Sequence, residues 1–239
     1  MREGMSGLRI RRYTVAALRP AEHGTMTSHN QIFDFDTEQA IAHLSDSSVR
    51  MRRLIERTGP FLMEVRPAPS VFAALAEAVV YQQLHGKAAA TIFARLCKLF
   101  PRPSAGPTAA GLTKLDDAAL RGAGLSNNKT LALRDLASKS LAKQIPTIAQ
   151  AAKLDNDTLI EQLTAVRGIG RWTVEMLLMF RLGRPDVLPV DDFGIRKGYA
   201  LSFAKKEMPA PRELARYGER WAPYRTVAAW YLWRASDVG

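Results

Sequence analysis

Leu163-Thr164-Ala165-Val166-Arg167-Gly168-Ile169-Gly170-Arg171-Trp172-Thr173 is the stretch that decides the fold. A helical apolar pattern runs into a Gly-Ile-Gly turn, and a second helical pattern starts at once. The two glycines permit positive φ and a close backbone approach. The amides of Gly168 and Gly170, with the first turn of the next helix, then form a nest for one phosphate. Such a grip holds a nucleic-acid backbone without reading its sequence. An ordinary helical corner with capping glycines has the same local pattern, so the turn by itself does not fix a role.

Working outward, nearly every periodic segment reads as helix. Helical stretches are expected over residues 37–44, 47–57, 70–84, 87–100, 128–141, 147–153, 155–163, 170–182, 193–203, 210–217 and 226–235. Ser70 reads as an N-cap, Gly86 as a break, and the Pro/Ser/Gly/Ala run 101–110 as a connector. Sustained β alternation is almost absent, which predicts an all-α protein of about ten helices. Helices at both chain ends cannot bury their apolar faces alone. A two-lobed arrangement follows. One lobe combines residues 31–70 and 190–239, and the other takes residues 71–189.

Composition narrows the class. Hydrophobic residues make up 47% of the 239 residues, which suits a folded core. No apolar run approaches the roughly 20 residues needed to cross a bilayer. Cys97 is the only cysteine, which excludes an internal disulfide, a four-cysteine iron–sulfur cluster and a cysteine-based zinc site. A reduced intracellular setting is the simplest expectation. The net charge of +11 favours an anionic partner such as nucleic acid. Part of the charge lies in residues 1–30, read as a basic, disordered leader, with Met26 an alternative start.

Downstream of the hairpin lies Leu188-Pro189-Val190-Asp191-Asp192-Phe193-Gly194-Ile195-Arg196-Lys197-Gly198. Either aspartate is a candidate carboxylate, and either could equally cap the helix that follows. The order of hairpin, helix and Pro-Val-Asp-Asp resembles the helix-hairpin-helix (HhH-GPD) DNA glycosylase superfamily, most nearly its 3-methyladenine DNA glycosylase II type. Three further segments carry the resemblance: Tyr81-Gln82-Gln83-Leu84 before Lys87, Gly124-Leu125-Ser126 before Lys129, and Glu219-Arg220-Trp221 leading to Tyr231 and Trp233. The likeness is to short members built from the two helical lobes, without an N-terminal β domain.

The resemblance implies roles, residue by residue. Asp192, just before the aromatic position, is the catalytic carboxylate; Asp191 is a neighbour that caps or pairs with Arg196. Trp172, Met176, Tyr231 and Trp233 line the base pocket. Gln83 and Leu84 form the wedge that fills the space left by a flipped nucleotide. Gly168, Ile169, Gly170, Arg171, Thr173, Lys87, Lys129 and Arg196 hold the DNA backbone. No cofactor is required, although carbonyls of Thr164, Val166 and Ile169 are suited to a monovalent cation. Bifunctional relatives carry a Schiff-base lysine where this chain has Trp172, so a monofunctional enzyme is expected.

The chemistry agrees with these roles. Breaking an N-glycosidic bond develops positive charge on the sugar, which a fixed carboxylate stabilises. A purine methylated at N3 or N7 is cationic, so an indole face attracts it and it leaves readily. The expected partner is double-stranded DNA containing a damaged base, acted on by a monomer without a membrane. A non-catalytic binder of bent or damaged DNA, or a glycosylase for another lesion, is the alternative.

Overall fold

The computed structural model describes residues 33–235 and Asp237; the leader of residues 1–30 lies outside them. Thirteen α-helices and no strand occur among the described residues. They are α1 Thr37–Ser47, α2 Val49–Thr58, α3 Val71–Tyr81, α4 Gly86–Lys98, α5 Ala109–Leu112, α6 Asp117–Gly122, α7 Asn127–Leu141, α8 Ile148–Ala151, α9 Asn156–Thr164, α10 Arg171–Phe180, α11 Phe193–Ser202, α12 Pro211–Gly218 and α13 Arg225–Arg234. None is long and apolar enough to cross a membrane.

Local chemistry sets most of these boundaries. Side chains of Asp36, Ser48, Ser70, Asp116, Ser126, Asp155 and Asp192 each accept a first-turn amide, and Thr147 with Gln150 forms a capping box. Each such cap stabilises its helix by about 1 kcal/mol. Two departures from the sequence expectation matter. The connector at 101–110 holds a 3-10 turn, Pro103–Ala105, and the start of the short α5. The helix expected to reach residue 84 stops at Tyr81, because Gln82 leaves helical geometry (ψ 132°) and Gln83 adopts φ +58°.

Helix packing falls into two sets. α1, α2, α11 and α13 pack together, with α12 joined to them through the 3-10 turn Glu219–Trp221; α3 to α7 form the second set, with α9 and α10 attached through α3. The first set draws on both ends of the chain and the second on its middle. In the first set α11 and α13 cross closely, and a Cβ placed on Gly198 would sit 1.8 Å from the Leu232 carbonyl oxygen. Only a residue without a side chain lets the two backbones meet there.

The segment from α10 to α11 is pinned to the N-terminus of α13. Arg225 grips Asp186 through Nε at 2.6 Å and a terminal nitrogen at 2.7 Å. The buried Thr226 hydroxyl donates to the Arg184 carbonyl at 2.6 Å and accepts the Val187 amide at 3.0 Å. A second tie runs through the extended chain after α2: the Arg66 amide donates to the Phe180 carbonyl at 2.9 Å, and Arg181 donates to Glu77 at 2.6 Å. These ties fix α10, α11 and α13 relative to one another, and those three helices carry the site.

Candidate active site

Asp192 is the N-cap of α11, and its residue is only 7% exposed. Its Oδ1 accepts the Ile195 amide at 2.9 Å and the Trp233 indole N–H at 2.8 Å, while Oδ2 accepts the Trp172 indole N–H at 2.8 Å. Trp172 comes from α10 and Trp233 from α13, so the carboxylate sits where helices of the two sets meet. Three donors account for the burial of a charge that would otherwise be costly. Each carboxylate oxygen has two acceptor positions, so Oδ1 is filled and Oδ2 retains one.

Residues with no place in the sequence expectation complete this wall. Phe180, the last residue of α10, stacks on Trp233 with ring centroids 5.9 Å apart and planes 27° apart. Gly194 lies against the same indole: a Cβ there would be 2.9 Å from Trp233 Cδ1. Phe180 ends an apolar run and reads as core in sequence. Gly194 gives a weak signal, a glycine at a helix start where no turn is needed.

The hairpin joins α9 to α10. Gly168 has φ +75°, and a Cβ on it would lie 3.2 Å from Ala132 Cβ, so glycine serves both conformation and space. Gly170 caps α10 without a side-chain hydrogen bond. The amides of Gly168 and Gly170 take no hydrogen-bond partner among the described residues. Ile169 and Thr173 are buried, anchoring the turn from below. Of the carbonyls named for a cation, that of Val166 accepts the Ile169 amide at 3.1 Å and keeps a second lone pair. Thr164 turns its hydroxyl to the Ile160 carbonyl, so any such ion would rest on backbone oxygens.

Next to the hairpin stands the turn at 82–84. Gln82, which belongs to the quoted Tyr81–Leu84 segment but carries no separate role there, donates its side-chain amide to the Gly168 carbonyl at 2.9 Å across 86 residues of sequence. Gln83 is exposed and Leu84 half-buried, so both wedge candidates sit on a turn tied directly to the hairpin. Lys129 has another partner: its Nζ donates to the Val80 carbonyl at 2.6 Å, capping α3 just before that turn. Burial pushes the Lys129 amine below its usual range. This contact points its charge into the protein rather than toward a phosphate.

The remaining positions divide. Lys87 is exposed in the first turn of α4, and Arg171 is half-exposed at the start of α10. Arg196 donates Nε to the Pro209 carbonyl at 2.9 Å instead of pairing with Asp191, which is exposed. Met176 is 8% exposed and packs into the core on α10, one turn beyond Trp172. Tyr231 has no exposure, and its hydroxyl donates to the Gly59 carbonyl at 3.1 Å. The structure thus holds Tyr231 between Phe61 and Trp230 in the core, while Trp233, two residues on, reaches Asp192.

Glu175 is a buried acid that the sequence reading missed, although a lone carboxylate in Val174-Glu175-Met176-Leu177-Leu178 was its signal. It pairs with Arg171 Nε at 3.0 Å. Burial pushes its carboxyl up to about 7; Arg171 opposes that rise, and Asp191 and Asp192 add to it. The folded protein therefore holds this proton more tightly than the unfolded chain, whose glutamate titrates near 4.5. The resulting stability is full below that lower value and is lost as pH rises through the upper one. Glu175→Gln keeps an acceptor for Arg171 and removes the titration. Its melting temperature should match wild type near pH ~5 and exceed it near pH ~8; an equal difference at both would show that no such linkage exists.

A hairpin turn with open amides, a second turn tied to it through Gln82 and a buried carboxylate between two indoles thus lie together in an all-α fold. Comparison with known proteins gives the class. Residues 76–223 match the HhH-GPD superfamily base excision DNA repair protein family, and the chain belongs to that family. It is 39% identical over 205 residues to DNA-3-methyladenine glycosylase 1 of Schizosaccharomyces pombe, covering 84% of this chain and 88% of that one. Among solved structures it resembles the S. pombe 3-methyladenine DNA glycosylase (Mag1) in complex with abasic DNA, at 37% identity and a TM-score of 0.74 over 84% of this chain and 98% of that one. It also resembles a DNA-3-methyladenine glycosidase from Bacillus halodurans, at 34% identity and a TM-score of 0.76, covering 84% and 91%.

Proposed function

We propose that this chain is a monofunctional DNA glycosylase that flips alkylated purines of the 3-methyladenine and 7-methylguanine type out of duplex DNA and hydrolyses their N-glycosidic bond. The product is the abasic site from which base excision repair continues. The observation that carries this reading is the Asp192 carboxylate, buried and fixed by the indoles of Trp172 and Trp233. The similarity to relatives named for 3-methyladenine supports the substrate class.

In this reading the hairpin amides hold one phosphate, and the turn at 82–84 enters the duplex where the nucleotide has left the stack. The methylated base carries a positive charge and is drawn to the indole faces. As the glycosidic bond breaks, its electron pair moves onto the base and neutralises that charge, while the sugar becomes cationic at C1′. Asp192, already oriented, stabilises the sugar cation without rearranging. Water adds its oxygen to C1′ and releases a proton to solvent. The remaining acceptor position on Oδ2 is the place from which the carboxylate faces sugar or water.

Strand cleavage is not part of this reaction. The lyase chemistry of bifunctional glycosylases needs an amine nucleophile, and α10, Arg171–Phe180, contains no lysine. A duplex with a single 7-methylguanine should therefore yield free base and an intact abasic strand that breaks only under hot alkali. Direct cleavage, or a borohydride-trapped protein–DNA adduct, would refute the monofunctional assignment. Tight binding with no base released would instead favour a damage-binding protein.

A further inference from the structure

Gly194 is the second residue of α11, one position after the exposed Phe193. Its φ lies outside the left-handed region, so backbone conformation does not call for glycine. Glycine is also a poor helix former. What the position requires is room. A Cβ there would lie 2.9 Å from Trp233 Cδ1, 3.3 Å from Trp233 Nε1 and 3.1 Å from Asp192 Oδ1. Real Cβ atoms do not approach other atoms as closely as the first of these distances.

Neither neighbour has an easy retreat. The carboxylate is held by the Ile195 amide at 2.9 Å and by Trp172 at 2.8 Å. The indole presents its pyrrole edge to Gly194 and Asp192 while its rings stack on Phe180. A methyl group on residue 194 must then push the indole edge away from the carboxylate.

We propose that Gly194 is a positioning residue for excision: its bare α-carbon lets Trp233 close on Asp192, which fixes the direction of the carboxylate. This rests on the reading of Asp192 as the reacting carboxylate. The effect passes through Trp233, since Gly194 itself offers no group to the substrate. The Trp233→Phe background separates Gly194 from a glycine that merely allows packing, because a rate loss that passes through the indole edge should vanish once that edge is gone.

The test compares wild type, Gly194→Ala, Trp233→Phe and the double variant. Each is assayed by single-turnover base release from methylated duplex DNA, by thermal melting, and by the indole N–H resonances in ¹⁵N-labelled protein. A displacement of about 1 Å can cost about 100-fold in rate, so Gly194→Ala should slow release by that order, with a fall in melting temperature smaller than that of Trp233→Phe plus the cost of ordinary overpacking. The Trp233 indole resonance should move as its hydrogen bond is lost. In the Trp233→Phe background, which lacks the pyrrole edge, adding Gly194→Ala should change the rate by less than about twofold. If Gly194→Ala alone does not fold, the double variant, with space restored, still should.

Wild-type rates with an unmoved resonance in Gly194→Ala would overturn the proposal, as would equal rate losses in both backgrounds. If wild type releases no base, the glycosylase reading fails on its own account. The indole resonance then decides whether Gly194 sets the Trp233–Asp192 contact, and an unmoved signal refutes that too.

Discussion

Asp192→Asn should lower single-turnover base release by about 10²–10³-fold, the range seen when one preorganised electrostatic group is removed from a site where charge develops. Asparagine keeps the shape and caps helices as well as aspartate, so α11 should still start in the same place. What changes is the charge and one donor–acceptor match. The new carbonyl oxygen can serve the Ile195 amide and the Trp233 indole, which both bond Oδ1 now. The new NH₂ group then faces the Trp172 indole N–H, a donor against a donor, where Oδ2 now accepts at 2.8 Å. That mismatch should lower stability by about 1–3 kcal/mol. DNA affinity should hold or improve, because a negative charge near the phosphates has gone. Release at the wild-type rate would remove Asp192 from the mechanism.

The largest effect on stability is expected from Gly198→Ala. The added Cβ would meet the Leu232 carbonyl oxygen at 1.8 Å and its carbon at 2.7 Å, so backbone opposes backbone and no rotamer can relieve the clash. Overpacking that moves main chain costs about 3 kcal/mol or more, which shifts the melting temperature of a domain this size by roughly 6–12 °C. Because α11 carries Asp192 and α13 carries Trp233, prying the two apart should also slow base release. Thermal melting checks the first effect and single-turnover release the second. A variant as stable as wild type would mean that the helices do not cross at Gly198. The contrast with Gly194→Ala, four residues earlier in the same helix, is that backbone opposes the new Cβ here and a side chain opposes it there, so stability should fall further here.

The fold was legible because it rests on periodic patterns and caps that act locally. Ser70 caps a helix in the structure as its sequence position implies, and the Gly-Ile-Gly turn is a hairpin between α9 and α10. Where sequence misled, tertiary contacts were responsible. Residues 82–84 continue the helical pattern, yet the turn there is set by the Gln82–Gly168 and Lys129–Val80 contacts, made across long stretches of chain. Lys129 reads in sequence as one more cation beside a loop, and only the fold brings it to the Val80 carbonyl. Tyr231 and Trp233 share one helix and only packing separates them: Tyr231 spends its hydroxyl on Gly59, and Trp233 turns its N–H to Asp192. Gly194, Phe180 and Glu175 matter through what lies against them, which no periodicity records.

The central claim is tested most directly by incubating wild-type protein with duplex DNA carrying radiolabelled methyl groups and separating the released bases by chromatography. The account predicts free 3-methyladenine and 7-methylguanine, with the DNA strands intact. Tight binding of the same DNA with no methylated base released would contradict it.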